Sequence, residues 1–191
     1  MKTKTYNTLF ILLATLIIAT GCTSNYKYKI GVSQCVGGRW REKANIEMLS
    51  AQHLYDTDVK VIIKNADNSN ERQCLQIDSL INEGVDLLVV SPNDYHALNG
   101  SLQHARDKNI PIIFFDRTTA MKDYTAYIGG DNVEAGRKMA EYAAMLCRDS
   151  VKTDGRRPIV LEMSGPSDIS PAVERHSGFS ETMKQYPSIE Y

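Results

Sequence analysis

The chain has 191 residues, 42% of them hydrophobic and 24% charged, with Lys+Arg 22 against Asp+Glu 23 and a formal net charge of −1. That balance excludes a disordered or collagen-like polymer, and it lacks the concentrated basic excess that a nucleic-acid partner requires. The expected product is a globular protein with a surface of mixed sign.

In chain order, Lys2 and Lys4 precede the run Leu9 to Ala19, apolar except for Thr15, and the small residues Thr20 and Gly21 follow. This is the layout of a secretory signal peptide over residues 1–21. Its apolar core of about 11 residues is too short for a span, which takes roughly 20. Ala19-Thr20-Gly21-Cys22 resembles the bacterial lipoprotein box, in which the cysteine is acylated and becomes the new N-terminus. Cys22 is therefore the candidate lipidation site, with plain secretion or an uncleaved signal anchor as the alternatives. A single acyl chain binds a membrane only marginally, so stable attachment needs the full lipid set. Cys35, Cys74 and Cys147 remain, an odd number without Cys-x-x-Cys or Cys/His spacing, and read as small buried apolar side chains.

A polar linker over 22–28 leads into an alternation of short apolar runs and longer amphipathic segments. Strands are predicted near 29–34, 59–64, 86–91, 110–115, 126–129 and 158–163, and helices near 39–55, 70–83, 95–107, 132–149 and 172–185. Asn68 with Glu71, and Asp131 with Glu134, have the spacing of capping boxes, and Ser170-Pro171 places proline at a helix start. Strands alternating with helices imply right-handed crossovers and a parallel sheet. Val85-Asp86-Leu87-Leu88-Val89-Val90 reads as a strand buried on both faces.

The fold class is thus α/β: a three-layer lobe over 27–130, a parallel sheet with helices on both faces, and an incomplete second α/β lobe over 131–191. A second lobe of similar size needs roughly 100 residues. Those after Gly130 supply a helix, one strand and a second helix, with Ser188-Ile189-Glu190-Tyr191 beginning another strand. A partial lobe leaves a strand edge and apolar surface uncovered.

Ligands of such a sheet gather at the carboxyl ends of its strands. Those ends carry Ser33-Gln34, Ser91-Pro92-Asn93-Asp94 and Asp116-Arg117. A carboxylate accepts from a hydroxyl, a guanidinium fork donates to two, and an aromatic face covers the C–H surface of a sugar ring. On pattern alone Asp116-Arg117 is equally a solvated pair ending a strand. Trp40, the only tryptophan, either anchors its helix or stacks on a ligand, and Arg175 is either an exposed helical residue or a contact.

Across most of its length the chain resembles the ribose/galactose type of periplasmic binding protein, whose fold is shared with the lac-repressor family. The resemblance rests on Ile30-Gly31-Val32-Ser33, Ser91-Pro92-Asn93-Asp94, the segment Asn109 to Arg117, Gly129-Gly130-Asp131-Asn132-Val133-Glu134-Ala135-Gly136, and Ala172-Val173-Glu174-Arg175-His176-Ser177-Gly178-Phe179. It implies sugar contacts at Ser33, Trp40, Ser91, Asp116, Arg117 and Arg175. Gly37 stands where the family commonly has Asn, and Ser91 at a position often held by Asn. Gly31-Val32-Ser33-Gln34-Cys35, Asp116-Arg117-Thr118-Thr119 and Glu174-Arg175-His176 are most similar to the periplasmic sugar-sensing region of hybrid two-component regulators.

The expected function is an exported sugar-binding protein that captures a small carbohydrate between two lobes, in the periplasm and attached to a bacterial membrane by a lipid or signal anchor. It would work with a transporter; the alternative is a fragment of the sensor domain of a hybrid histidine kinase. With half its contacts missing, such a chain is expected to hold sugar weakly or not at all. A lac-repressor-like regulator is disfavoured, since an export signal stands where DNA-binding helices belong. No Gly-x-Ser-x-Gly or His-Glu-x-x-His motif occurs, and His53, His96, His104 and His176 show no ligand spacing. No enzyme activity, cofactor, metal or nucleic-acid partner is expected.

Overall fold

The computed structural model describes residues 26–55, 58–149 and 156–191. The signal peptide, Cys22 and most of the 22–28 linker lie outside these residues. In order the chain forms β1 (Tyr28–Gln34), α1 (Arg39–Gln52), a 3-10 turn (His53–Tyr55), β2 (Val59–Asn65), α2 (Asn70–Asn82), β3 (Leu87–Ser91), α3 (Asn99–Asp107), β4 (Ile112–Phe115) and β5 (Ala126–Ile128). Two helices follow, α4 (Asn132–Asp149) and α5 (Ser170–Met183).

All five strands are parallel, in the order β2-β1-β3-β4-β5. The chain leaves β1 for one side of the sheet and returns to the other at β3. The carboxyl ends of these neighbours, Gln34 opposite Ser91, therefore border the switch point where ligands of open α/β sheets bind.

Side chains alternate across the sheet and build two unequal faces. Leu88, Val90, Ile112 and Phe114 pack against Ile77, Leu80 and Ile81 of α2 and against Leu98, Leu102 and Ala105, forming the core. Gly31 lets α2 approach: a Cβ there would meet Leu80, Val85 and Leu88 at 3.1–3.2 Å. On the other face, Val32, Val61, Val89, Ile113 and Phe115 line a wholly apolar groove of about 270 Å³, flanked by Met48 and Ala51 of α1.

α4 and α5 pack together through glycines that face the partner's backbone, Gly136 against Arg175 and Gly178 against Val133. Ala140, Ala144, Phe179, Met183 and Ile189 form their small core. No helix among the described residues is long and apolar enough to cross a membrane. Cys35 is buried, Cys74 and Cys147 are half-buried, and all three are free thiols.

Four local expectations need correcting. The predicted strand 158–163 is reduced to one parallel bridge, Ile159 with Glu190. Only two backbone hydrogen bonds, Val160 N–H to Glu190 and Glu190 N–H to Pro158, hold it, too few for a ladder. α3 begins at Asn99 and not near 95, because Asp94 Oδ1 takes the N–H groups of His96 and Ala97 into a turn, each at 2.7 Å. α2 is capped by Ser69, which accepts from Arg72 N–H, and not by Asn68. α5 opens at Ser170, with Pro171 in its first turn, and the Ser170 hydroxyl serves Thr118 N–H and not its own helix. The Asp131 cap is present, accepting from Glu134 N–H at 2.8 Å.

Candidate functional site

The site is built where β4 ends. Asp116 has φ 66°, a left-handed conformation that costs an ordinary L-residue about 1–2 kcal/mol. Arg117 N–H donates to Phe115 C=O at 2.7 Å across it, closing a γ-turn, and Asp116 N–H donates to Ile128 C=O of β5 at 2.8 Å. The Tyr127 hydroxyl shares its proton between the carbonyls of Asp116 (3.2 Å) and Gly130 (3.1 Å). The turn swings the Asp116 carboxylate off the strand line toward the first turn of α1.

That turn begins at Gly38, whose φ of 122° brings the chain sharply over the strand tips. It delivers Trp40 and Arg41. Arg41 is 2% exposed. Its Nη1 donates to Gln34 Oε1 (2.9 Å) and Ser91 Oγ (2.8 Å), and its Nη2 to Asp116 Oδ2 (2.6 Å). One guanidinium thus ties the ends of β1, β3 and β4. Trp40 is 52% exposed, with the Arg41 guanidinium 4.5 Å from its ring centroid and Phe115 at 5.8 Å. Arg117 lies largely buried beside the pair, its Nε 3.8 Å from the same Asp116 oxygen.

The remaining side approaches from α5. Arg175, exposed, donates through Nε to Asn132 Oδ1 at 3.0 Å, and Asn132 Nδ2 donates to Glu174 Oε2 at 3.1 Å. Glu174 Oε1 accepts from the Thr118 hydroxyl at 3.1 Å, and Ser170 Oγ from Thr118 N–H at 2.8 Å. Arg175 is thereby linked through three side chains to the loop that carries Asp116 and Arg117. The Tyr127 phenol is pushed above its usual range, first by burial and then by the Glu174 and Asp116 carboxylates, against the opposing charge of Arg175.

Of the six contact residues implied by the resemblance, Trp40, Asp116 and Arg117 share the strand tips, with Arg175 on the facing helix. Ser91 is buried behind Arg41. Ser33 is buried on the opposite face of the sheet, where its hydroxyl accepts from Gln73 Nε2 at 3.2 Å. Gln34 stands among the strand-end residues that the sequence singles out, whereas Arg41, Asn132 and Glu174 carry no signal as site residues; for Arg41, an arginine beside a tryptophan in a helical pattern bears no mark of burial. The four histidines stay apart, and the described residues hold no cluster of three or more metal-ligating side chains.

Residues 30–191 match the model of the periplasmic binding protein domain. The chain belongs to the periplasmic binding protein family. The ribose import binding protein of Bacillus subtilis is 31% identical over 127 residues, covering 66% of this chain and 39% of that protein. The D-xylose-binding periplasmic protein of Escherichia coli is 29% identical over 143 residues, 74% of this chain and 42% of its own. Among solved structures, the fructose binding periplasmic domain of a hybrid two-component system superposes with a TM-score of 0.72 at 37% identity, covering 85% of this chain and 52% of that one. This periplasmic binding protein chain thus spans about half, or less, of the length of the relatives it matches. Its five-stranded parallel sheet with flanking helices is the α/β fold that the sequence resemblance implied.

Proposed function

We propose that the chain is part of an exported protein that captures a small carbohydrate between two lobes. The observation that carries this reading is the meeting of an open indole face, one carboxylate and the Arg117 guanidinium at the tips of parallel strands, with Arg175 linked to them from the facing helix through Asn132, Glu174 and Thr118. Asp116 accepts from one hydroxyl, Arg117 and Arg175 donate to ring or hydroxyl oxygens from the two sides, and Trp40 covers the apolar face of the ring. Ser91 and Ser33 act behind this surface, Ser91 by holding Arg41 and Ser33 by holding Gln73.

Sugar held between lobes favours the closed state by its contacts with both. Delivery to a transporter and signalling to a kinase share this capture step, and the matched proteins include a ribose import binding protein and a fructose binding periplasmic domain of a hybrid two-component system. Periplasmic placement, with lipid on Cys22, completes the reading; incorporation of labelled palmitate that Cys22→Ser abolishes tests the anchor.

The binding reading is tested by titrating neutral pentoses and hexoses into the chain while following emission of Trp40. Saturable change with at least one sugar is expected, weak because one lobe is partial. No response to any sugar at millimolar concentration overturns it.

A further inference from the structure

Arg41 is the one cation that the described structure buries inside the candidate site, and nothing in the resemblance assigns it a role. Burying a guanidinium is unfavourable unless its donors are met, and an apolar residue in its place would fill the space without that penalty. Here every contact points at the site. Nη1 fixes Gln34 and Ser91 at the switch point, Nη2 holds Asp116 Oδ2 at 2.6 Å, and the guanidinium plane backs the Trp40 ring. Arg117, the other cation at Asp116, approaches the same oxygen, at 3.8 Å. Oδ1 therefore has neither arginine on it.

We propose that Arg41 is the positioning residue of this site: by holding Asp116 Oδ2 and backing one face of Trp40, it presents Oδ1 as the carboxylate acceptor for a sugar hydroxyl. The inference rests on the sugar-binding reading above. Arg41 acts through Asp116 and Trp40 and does not itself need to touch the ligand. The left-handed turn at Asp116 and the Arg41 clamp are two halves of one device, the turn aiming the carboxylate and the clamp setting its rotation.

The test is a double-mutant cycle on the full chain, read by calorimetry with ribose, xylose and fructose as probes and by thermal melting. Arg41→Met and Arg41→Lys should each weaken the sugar that binds unsubstituted chain by about 10- to 100-fold, the range of one charge-assisted hydrogen bond. Arg41→Lys keeps the charge but not the fork, so its melting temperature should fall less than that of Arg41→Met while its affinity falls as far, separating positioning from folding. Asp116→Asn should weaken binding as much, and Arg41→Met on top of Asp116→Asn should cost little more, because the two act as a unit. Parent-like affinity in Arg41→Lys, or losses that simply multiply in the double variant, overturns the proposal while leaving the sugar-binding reading in place. Absence of binding by the unsubstituted chain removes both.

Discussion

Gly136 lies so close under the backbone of Arg175 that a Cβ on it would overlap the Arg175 carbonyl oxygen. The reciprocal contact, Gly178 against the Val133 carbonyl, closes the crossing from the other helix. These two glycines set where α5, and with it Arg175 and Glu174, stands relative to the strand tips. Helix propensity alone would make Gly→Ala favourable by about 1 kcal/mol at either position. Because the added methyl meets backbone, Gly136→Ala and Gly178→Ala should instead destabilise the chain by roughly 1–3 kcal/mol. Chemical denaturation measures this; a gain in stability would mean that the helices are not in contact there.

Asp116 holds a backbone shape that suits Asn far better than Ala. Both Asp116→Asn and Asp116→Ala leave Arg41 without its anion, and Asn alone keeps an acceptor there, so the difference between them reads the turn together with one hydrogen bond. Asp116→Ala should be the less stable by about 1–2 kcal/mol. Equal stability of the two would contradict a left-handed Asp116.

Ser33 and Ser91 are both buried but face different sides of the sheet. Ser91→Ala removes an acceptor from a charged donor and should cost about 1.5–3 kcal/mol, weakening sugar binding through Arg41. Ser33→Ala leaves Gln73 Nε2 its bond to the Ser91 carbonyl at 2.9 Å. It should cost only about 0.5–1.5 kcal/mol and leave affinity unchanged. Lost affinity in Ser33→Ala would restore the direct contact that the sequence implied.

The carboxylate of Asp94 is held below its ordinary value of 3.8 by the N–H groups of His96 and then Ala97. A depressed acid contributes stability that is present above its unfolded value and is lost as pH falls through the folded one. The stability gap between the parent chain and Asp94→Asn should therefore shrink as pH drops from about 5 toward 2. Urea midpoints at several pH values check this; a constant gap would mean the turn does not depend on the charge.

Much of this was legible in the sequence, and the misses have physical causes. Val85 to Val90 marks a strand, observed from Leu87 to Ser91, buried on the Leu88 and Val90 side and half-buried at Leu87 and Val89, which line the apolar groove. Asp131 was found as a cap because its carboxylate has one close N–H to serve. Asn68 has the spacing of a cap but takes a left-handed φ of 64°, and the extended residue before the helix is Ser69, which accepts from Arg72 N–H. Segment 158–163 has the composition of a strand but only Glu190 beside it, and a strand exists by its neighbours. At the candidate site, Asp116 and Arg117 are legible because they follow a strand end, and Trp40 because it opens a helix; the structure brings them to one edge of the sheet. Arg41 is not legible, since its burial arises from Gln34, Ser91 and Asp116, residues brought together by the topology alone. Ser33, a contact that the resemblance implies, is set by the two-residue alternation against Gln73 on the other face of the sheet from Gln34.

The central claim is most directly tested by titrating ribose, xylose and fructose into the chain and following emission from Trp40, the single tryptophan. The expected result is a saturable change with at least one sugar that Asp116→Asn and Arg117→Met each reduce about tenfold or more. A sugar response that neither substitution alters, or no response from the parent chain, would contradict the site described above.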